Sequence, residues 1–317
     1  MNRFVLILSA VASQAVAQPY PSKPIHLIVP FAPGGSSEFV ARTVSSEMAK
    51  GLGQNFVIEN KPGGGGNIAM QEVARAEPDG YTLIIGHIGT LAANPFMSRE
   101  LPYDANRDFA PISLLVKVVT LYVVHAEVPA KDLKELVALA KKDPGKLNYG
   151  SAGNASAGHL AMEYLKLATG IDIQHVPYKG TGPMVIDLVA GRTQVGVAGT
   201  PPLLQHVRSG KLRAVAIGTH ERIAVLPEVR SVAEQGYPGF ETSQWYGLIG
   251  PAKMPEPVVR KLADEAAKAM KSRPVLDRLA TESAIAVGST PQEFAAFIAK
   301  EQARWKEVVQ KAHIKAD

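Results

Sequence analysis

The sequence predicts an α/β protein built as two similar lobes joined by two crossings. Three observations lead there. Between Pro24 and Gly89, short apolar runs alternate with segments of helical periodicity, the pattern of a parallel sheet with crossover helices. After a long apolar run, LLVKVVTLYVVH at 114–125, a second series of the same kind begins. Another apolar segment, SQWYGLIGP at 243–251, then leads the chain back. With 317 residues, 46% of them hydrophobic and 20% charged, the chain is long enough for two buried cores.

The N-terminus has a different character. Arg3 precedes an apolar stretch from Phe4 to Ala12, and Ala15-Val16-Ala17 places small residues at the two positions a signal peptidase inspects. Residues 1–17 are therefore expected to be a cleaved secretory signal. The alternative is a buried helix, which Gln18-Pro19-Tyr20-Pro21 would stop abruptly. Beyond that segment no apolar run reaches the length of a membrane-spanning helix. Cysteine is absent, so the fold uses no disulfide and the cleavage site offers no lipid anchor; the mature protein is expected free in the periplasm. The formal charge of +5 comes from scattered Lys and Arg and is no nucleic-acid footprint.

Taken in order, HLIVPF at 26–31 reads as a buried strand, and Val40, Thr43, Val44 and Met48 mark one face of the helix after it. NFVIEN, IAMQEVARA and YTLIIGH follow as strand, helix and strand. The turn Pro62-Gly63-Gly64-Gly65-Gly66 lacks the Lys-Ser or Lys-Thr that would make it a P-loop. In the second series Leu133, Leu136, Val137 and Ala140 share one helical face. LNYG, IQHVPY, TQVGVAG and LRAVAIG read as strands, separated by helices at HLAMEYLKLA, MVIDLVAG and PLLQHVRSG. Thr290-Pro291-Gln292-Glu293 is a capping box with proline at the first helical position. Phe294, Phe297, Ile298, Trp305, Val308 and Val309 then form a single stripe that packs this last helix on the first lobe. The expected division is residues 18–117 with 243–317 in the first lobe and 118–242 in the second.

The catalytic and metal-binding motifs are missing. The eight histidines include no i, i+4 pair, there is no His-Glu-x-x-His and no cysteine ligand, so no metal is expected. Gly-x-Ser-x-Gly does not occur. What recurs is a strand that runs into small, hydroxyl-rich residues and then a helix: PFAPGGSSEFVAR at 30–42, GSAGNASAGHLA at 150–161 and, more weakly, HIGTLAANP at 87–95. The first N–H groups of a helix have no partner inside it, and the aligned peptide dipoles make that end positive. Glycine lets an anion approach the backbone, and Ser, Thr and Asn add further bonds. A carboxylate or phosphate is the expected guest, held between two such helix starts in opposing lobes. The bland alternative at each junction is a helix cap.

Beyond these single features, the chain resembles the periplasmic receptors of the tripartite tricarboxylate transporter class, the Bug family. The residues that carry the resemblance are YPSKPIHLIVPFAPGG, VIENKPGGGGNIA, PDGYTL, LPYDANRDFAPISLL, GSAGNASAGHLA, HVPYKGTGP, LRAVAIGTHER and YPGFETSQWYGL, in order over nearly the whole mature chain. The resemblance implies a two-lobed, type II-like binding protein of the Venus-flytrap kind with two crossover strands. Such a protein closes on a di- or tricarboxylate, an acidic amino acid or an aromatic acid and delivers it to membrane permease subunits. It implies no cofactor and no enzymatic turnover, and the protein is expected to be a monomer. It also points to the loops Pro33 to Glu38 and Ser151 to Ser156 as the carboxylate clamp. Two positions depart from the family pattern. Glu38 stands where Asp is usual, which assigns it to the helix cap or to an amine on the ligand. Ala198 and Gly199 stand where Asp and Asn are frequent, which removes a partner for an amino group.

The candidate ligand-binding residues are therefore Pro33, Gly34, Gly35, Ser36 and Ser37 in one loop, and Ser151, Gly153, Asn154, Ala155 and Ser156 in the other. His159 faces either the cleft or the sheet, and Thr90 and Thr200 follow strands that should end at the cleft. Trp245 and Tyr246 on the return crossing either stack on an aromatic ligand or pack the hinge. Two rival functions stay open: a secreted hydrolase using Ser156 and His159, and a sensor that presents its closed form to a signalling partner.

Overall fold

The structure, a computed structural model, describes residues 20–98 and 100–314; the expected signal segment at 1–17 lies outside the described residues. Chain order sets up the first half as β1 (Ile25–Val29), α1 (Ser36–Leu52), β2 (Phe56–Asn60), α2 (Asn67–Ala74), β3 (Thr82–His87) and α3 (Asn94–Met97). β1 pairs parallel with both β2 and β3, as expected of strands joined by crossover helices. A single π turn at Gly89–Ala93 joins β3 to α3.

The long strand β4 (Phe109–His125) then links the halves. It stays apolar along almost its whole length because both of its faces are covered. Its residues 109–119 pair antiparallel with β9 (Ser243–Pro251), and its residues 120–125 pair antiparallel with β7 (Val195–Gly199) and β8 (Leu212–Ile217). The second half is completed by α4 (Leu133–Lys142), β5 (Asn148–Ser151), α5 (Ala157–Thr169), β6 (Gln174–Pro177), α6 (Thr181–Val189) and α7 (Thr200–Arg208). The return happens at the same level: Thr242 N–H still bonds to Gly218 in the second half, while Ser243 already pairs with Val119. Strand order runs β2-β1-β3-β9-β4-β7-β5-β6, a mixed and curled sheet in which the two strands at the junction run antiparallel to their neighbours.

Four clusters of buried side chains cover the sheet. In the first half, Val40, Val44 and Met48 of α1 pack with Ile25, Leu27 and Leu83 in one cluster, and Met70, Trp245, Phe294 and Trp305 form another. Leu136, Tyr149 and Leu165 belong to the third, and Val123, Met184 and Leu203 to the fourth. The chain ends with α8 (Glu256–Lys271), α9 (Arg273–Ala280), the short β10 (Ala284–Ala286) and α10 (Pro291–Lys311).

The capping box that starts α10 is fully formed: Thr290 Oγ1 accepts from the Glu293 N–H at 3.2 Å, and Glu293 Oε2 accepts from the Thr290 N–H at 2.8 Å. Thr290→Ala should cost about 1 kcal/mol of stability in urea denaturation. A midpoint equal to that of the parent protein would show that α10 is held by packing alone.

Candidate functional site

The first helix start is built without a side-chain cap. Gly35 occupies the N-cap of α1 and carries no side chain, so the loop satisfies itself by another route. The Glu38 carboxylate reaches back to accept from the Gly34 N–H at 2.7 Å and also pairs with Arg42 at 2.8 Å. Glu38 thus closes the outer rim of the loop. Ser36 and Ser37 on the first turn are left facing inward, at 2% and 3% exposure.

The second start is capped conventionally. Ser156 Oγ accepts from the His159 N–H at 3.3 Å at the head of α5. The loop before it turns sharply, with Gly153 at φ +121° and Ala155 at φ +58°, a left-handed conformation that is strained for alanine. Ser151 braces that turn: its Oγ accepts from the Gly153 N–H at 3.1 Å and bonds to His175 Nε2 at 2.7 Å.

Both starts line one small cavity between the lobes. Ser36 and Ser37 border it from the first lobe, and Ala152, Ser156, Ala157 and Gly158 from the second. Thr181, at the head of α6, adds a third helix start. Phe31, His87, Gln244 and Tyr246 form the first-lobe wall, with Val197 and Ala198 opposite. None of these side chains is Asp, Glu, Lys or Arg. Positive potential in the cavity therefore comes from the helix ends themselves.

The wall is uncharged for a physical reason. His87 is 1% exposed, and burial pushes its imidazole down to about 3, so the ring is neutral. Its Nδ1 accepts from the Gly89 N–H at 3.0 Å, which leaves the proton on Nε2. That atom has the Gly65 backbone as a polar neighbour but no hydrogen bond of good geometry. Ser36 Oγ is likewise buried without a well-formed bond, although it lies against the Tyr246 hydroxyl, whose pKa is raised by burial, a rise that Ser36 offsets only in part. The Tyr246 hydroxyl itself donates to Gln244 Oε1 at 2.7 Å.

The enclosed space is only about 20 Å³, roughly what one water needs. Beside it the lobes approach one another closely through backbone at several points. The Ala32 N–H donates to the Lys179 carbonyl at 3.0 Å. A Cβ built on Gly182 would stand 2.2 Å from the Pro33 carbonyl oxygen, one on Gly65 2.2 Å from that of Asn154, and one on Gly89 2.0 Å from that of Ala155. A carboxylate can enter only when this seam parts.

The candidate residues fall into three groups. Ser36, Ser37 and Ser156 border the cavity, and Gly35 lies beside Thr181 next to it. Pro33, Gly34, Asn154 and Ala155 belong to the seam, Gly153 to the turn that feeds it. Thr90, Ser151, His159 and Thr200 do not border the cavity, because each is engaged elsewhere. Thr90 Oγ1 bonds to the His87 backbone, and Thr200 Oγ1 donates to the Val119 carbonyl at 3.0 Å. His159 stacks on His175 at 4.3 Å and accepts the Ala155 N–H on Nδ1 at 3.1 Å. Burial, then the charge of Lys166, pushes its imidazole down to about 4.

Ser156 Oγ meets the backbone of His159 and not its ring, so the two do not form the nucleophile–base couple a serine hydrolase needs. Among the described residues no cluster of three or more His, Asp and Glu could hold a metal ion.

Phe31, His87, Thr181 and Gln244 escaped the sequence-based expectation, while Tyr246, which that expectation placed either against an aromatic ligand or in the hinge, borders the cavity. Thr181 had a local signal, since VPYKGTGP is one more strand–glycine–helix junction. Gln244 had none: it reaches the cavity beside Tyr246 because alternate residues of β9 share a face, while Trp245 between them points the other way against Phe294 and Phe297.

Comparison with known proteins places the chain among relatives of one kind. The sequence profile described as the tripartite tricarboxylate transporter family receptor matches residues 40–314. Protein BugT of Bordetella pertussis is 34% identical over 97% of this chain and 94% of its own. A Rhodopseudomonas palustris protein solved with adipate superposes with a TM-score of 0.91 at 34% identity, covering 93% of this chain and 99% of that one. MatC from the same organism, with bound malate, gives a TM-score of 0.88 at 35% identity over 92% of this chain and 100% of its own.

Proposed function

The chain belongs to the tripartite tricarboxylate transporter receptor family, and from that premise we propose that it captures a small carboxylate between its lobes and delivers it to a membrane transporter. The observation that carries the proposal is the convergence of the α1 and α5 starts on one cavity that no charged side chain lines. Unpartnered backbone N–H groups and serine hydroxyls recognise a carboxylate, and two helix ends supply the compensating charge. Relatives solved with adipate and malate support the same ligand class.

The energy suffices without an arginine. Micromolar affinity needs about 8 kcal/mol, and hydrogen bonds to a charged group contribute roughly 1.5–3 kcal/mol each. Four or five such bonds reach that range after ordering costs. Closure of residues 18–117 and 243–317 on residues 118–242 would shield them from water. In this proposal the protein acts as a periplasmic monomer after loss of residues 1–17, hands its ligand to permease subunits and releases it unchanged.

Calorimetry with malate, succinate, adipate and benzoate tests it. At least one should bind with a stoichiometry near one and be recovered intact. Ser37 Oγ has no partner among the described residues, so Ser37→Ala should weaken that ligand about tenfold and leave the unliganded protein as stable as before. Ser156→Ala should weaken binding too, but should also cost about 1 kcal/mol of stability because the hydroxyl caps α5. Steady product formation, or unaltered affinity in Ser37→Ala, would overturn the proposal.

A further inference from the structure

The wall facing the two helix starts offers a chemistry that the carboxylate clamp does not explain. Gln244 is 4% exposed and borders the cavity. Its Oε1 is committed to the Tyr246 hydroxyl, and it also faces Gly199, where an added Cβ would stand 3.2 Å away. Its amide nitrogen has no hydrogen-bond partner among the described residues. On a side chain this little exposed, that N–H pair is open to a guest that can accept from it. Nearby, Ser36 Oγ and the neutral His87 Nε2 make no well-formed hydrogen bond, although Ser36 lies against the Tyr246 hydroxyl and His87 against the Gly65 backbone. Nothing in the cavity lining is anionic.

We propose that Gln244 selects the ligand: its free amide N–H groups bind an acceptor oxygen on the second functional group of the carboxylate, and the site rejects α-amino acids. This rests on the carboxylate reading above and narrows it. A hydroxyl, keto or second carboxylate oxygen accepts from Gln244. An ammonium in its place would sit near positive helix ends with no anionic side chain to pair with, and would leave the amide unpaired. Ala198 on the cavity wall and the adjoining Gly199 reinforce the exclusion, since neither brings a carboxylate there.

The test pairs each acid with its α-amino counterpart, succinate with aspartate and adipate with 2-aminoadipate, and adds hexanoate as an acid without a second polar group. In the parent protein whichever diacid binds should exceed its amino counterpart at least a hundredfold by calorimetry. Gln244→Glu, nearly isosteric, should narrow that gap at least tenfold. Gln244→Met, which keeps the length and loses the donors, should weaken the diacid at least tenfold more than it weakens hexanoate. Thermal melts of both variants check that they fold, and the parent comparison stands even if one does not. Equal binding of acid and amino acid by the parent, or equal losses of diacid and hexanoate in Gln244→Met, would overturn the assignment while leaving the carboxylate reading intact. If no acid binds the parent, the carboxylate reading fails and takes this one with it.

Discussion

Gly182→Ala should leave the unliganded protein intact and weaken carboxylate binding roughly tenfold to hundredfold. Gly182 lies on the first turn of α6 with no positive φ, so its backbone accepts any L residue, and alanine is intrinsically the better helix former. Its environment is the obstacle. The new Cβ would stand 2.2 Å from the Pro33 carbonyl oxygen and 3.6 Å from Gly34 Cα, both on the other lobe. Both neighbours are backbone, so neither can swing away. Overpacking of this kind costs about 1–3 kcal/mol. The cost falls on the closed state alone, because parting the lobes removes the clash. Calorimetry would read the weaker binding, and small-angle scattering would read a smaller compaction on ligand addition. Unchanged affinity would mean that the bound form keeps a wider seam than the one described here.

Phe294→Ala should destabilise the protein by about 3–5 kcal/mol in urea denaturation, a large share of the total for a chain of this kind. Phe294 is fully buried at the head of α10 and meets the edge of Trp245 at 6.0 Å between centroids. Its ring occupies the space over Gly247 of β9, where a Cβ would come within 2.1 Å of its Cζ. Deleting the ring leaves a hole over a residue that has no side chain to fill it. Phe297→Ala, at a partly buried position of the same helix, should cost clearly less. The consequence reaches the site, because β9 carries Gln244 and Tyr246 on its other face. A loss for Phe294→Ala no larger than that for Phe297→Ala would show that α10 does not anchor β9.

Much of the architecture could be read locally. The run at 243–251 was expected as the return crossing and coincides with β9. The apolar segment at 114–125 lies inside β4, which begins earlier because Phe109 to Pro111 already pair with β9. The parallel pairing expected of the strand–helix series holds for β1 with β2 and β3 and for β5 with β6 and β7. The apolar runs left the direction of the crossings β4 and β9 open, and both run antiparallel to their neighbours. Periodicity reports which faces are buried and says nothing of strand direction at a junction.

The site divides along the same line. Helix starts rich in Gly, Ser and Thr announce themselves over a few residues, and so Ser36, Ser37 and Ser156 could be named from the chain alone. So could the family, whose motifs run through the chain in order. Which of the remaining hydroxyl and imidazole groups were already spent was invisible, because their partners lie far along the chain: Thr200 bonds across to Val119, and His159 stacks on His175. The wall of Gln244, Tyr246 and His87, and the seam at which Gly182 meets Pro33, exist only once β9 and α6 are brought beside α1. A helix end is a property of consecutive residues, whereas a cavity is made by whatever folding places opposite it.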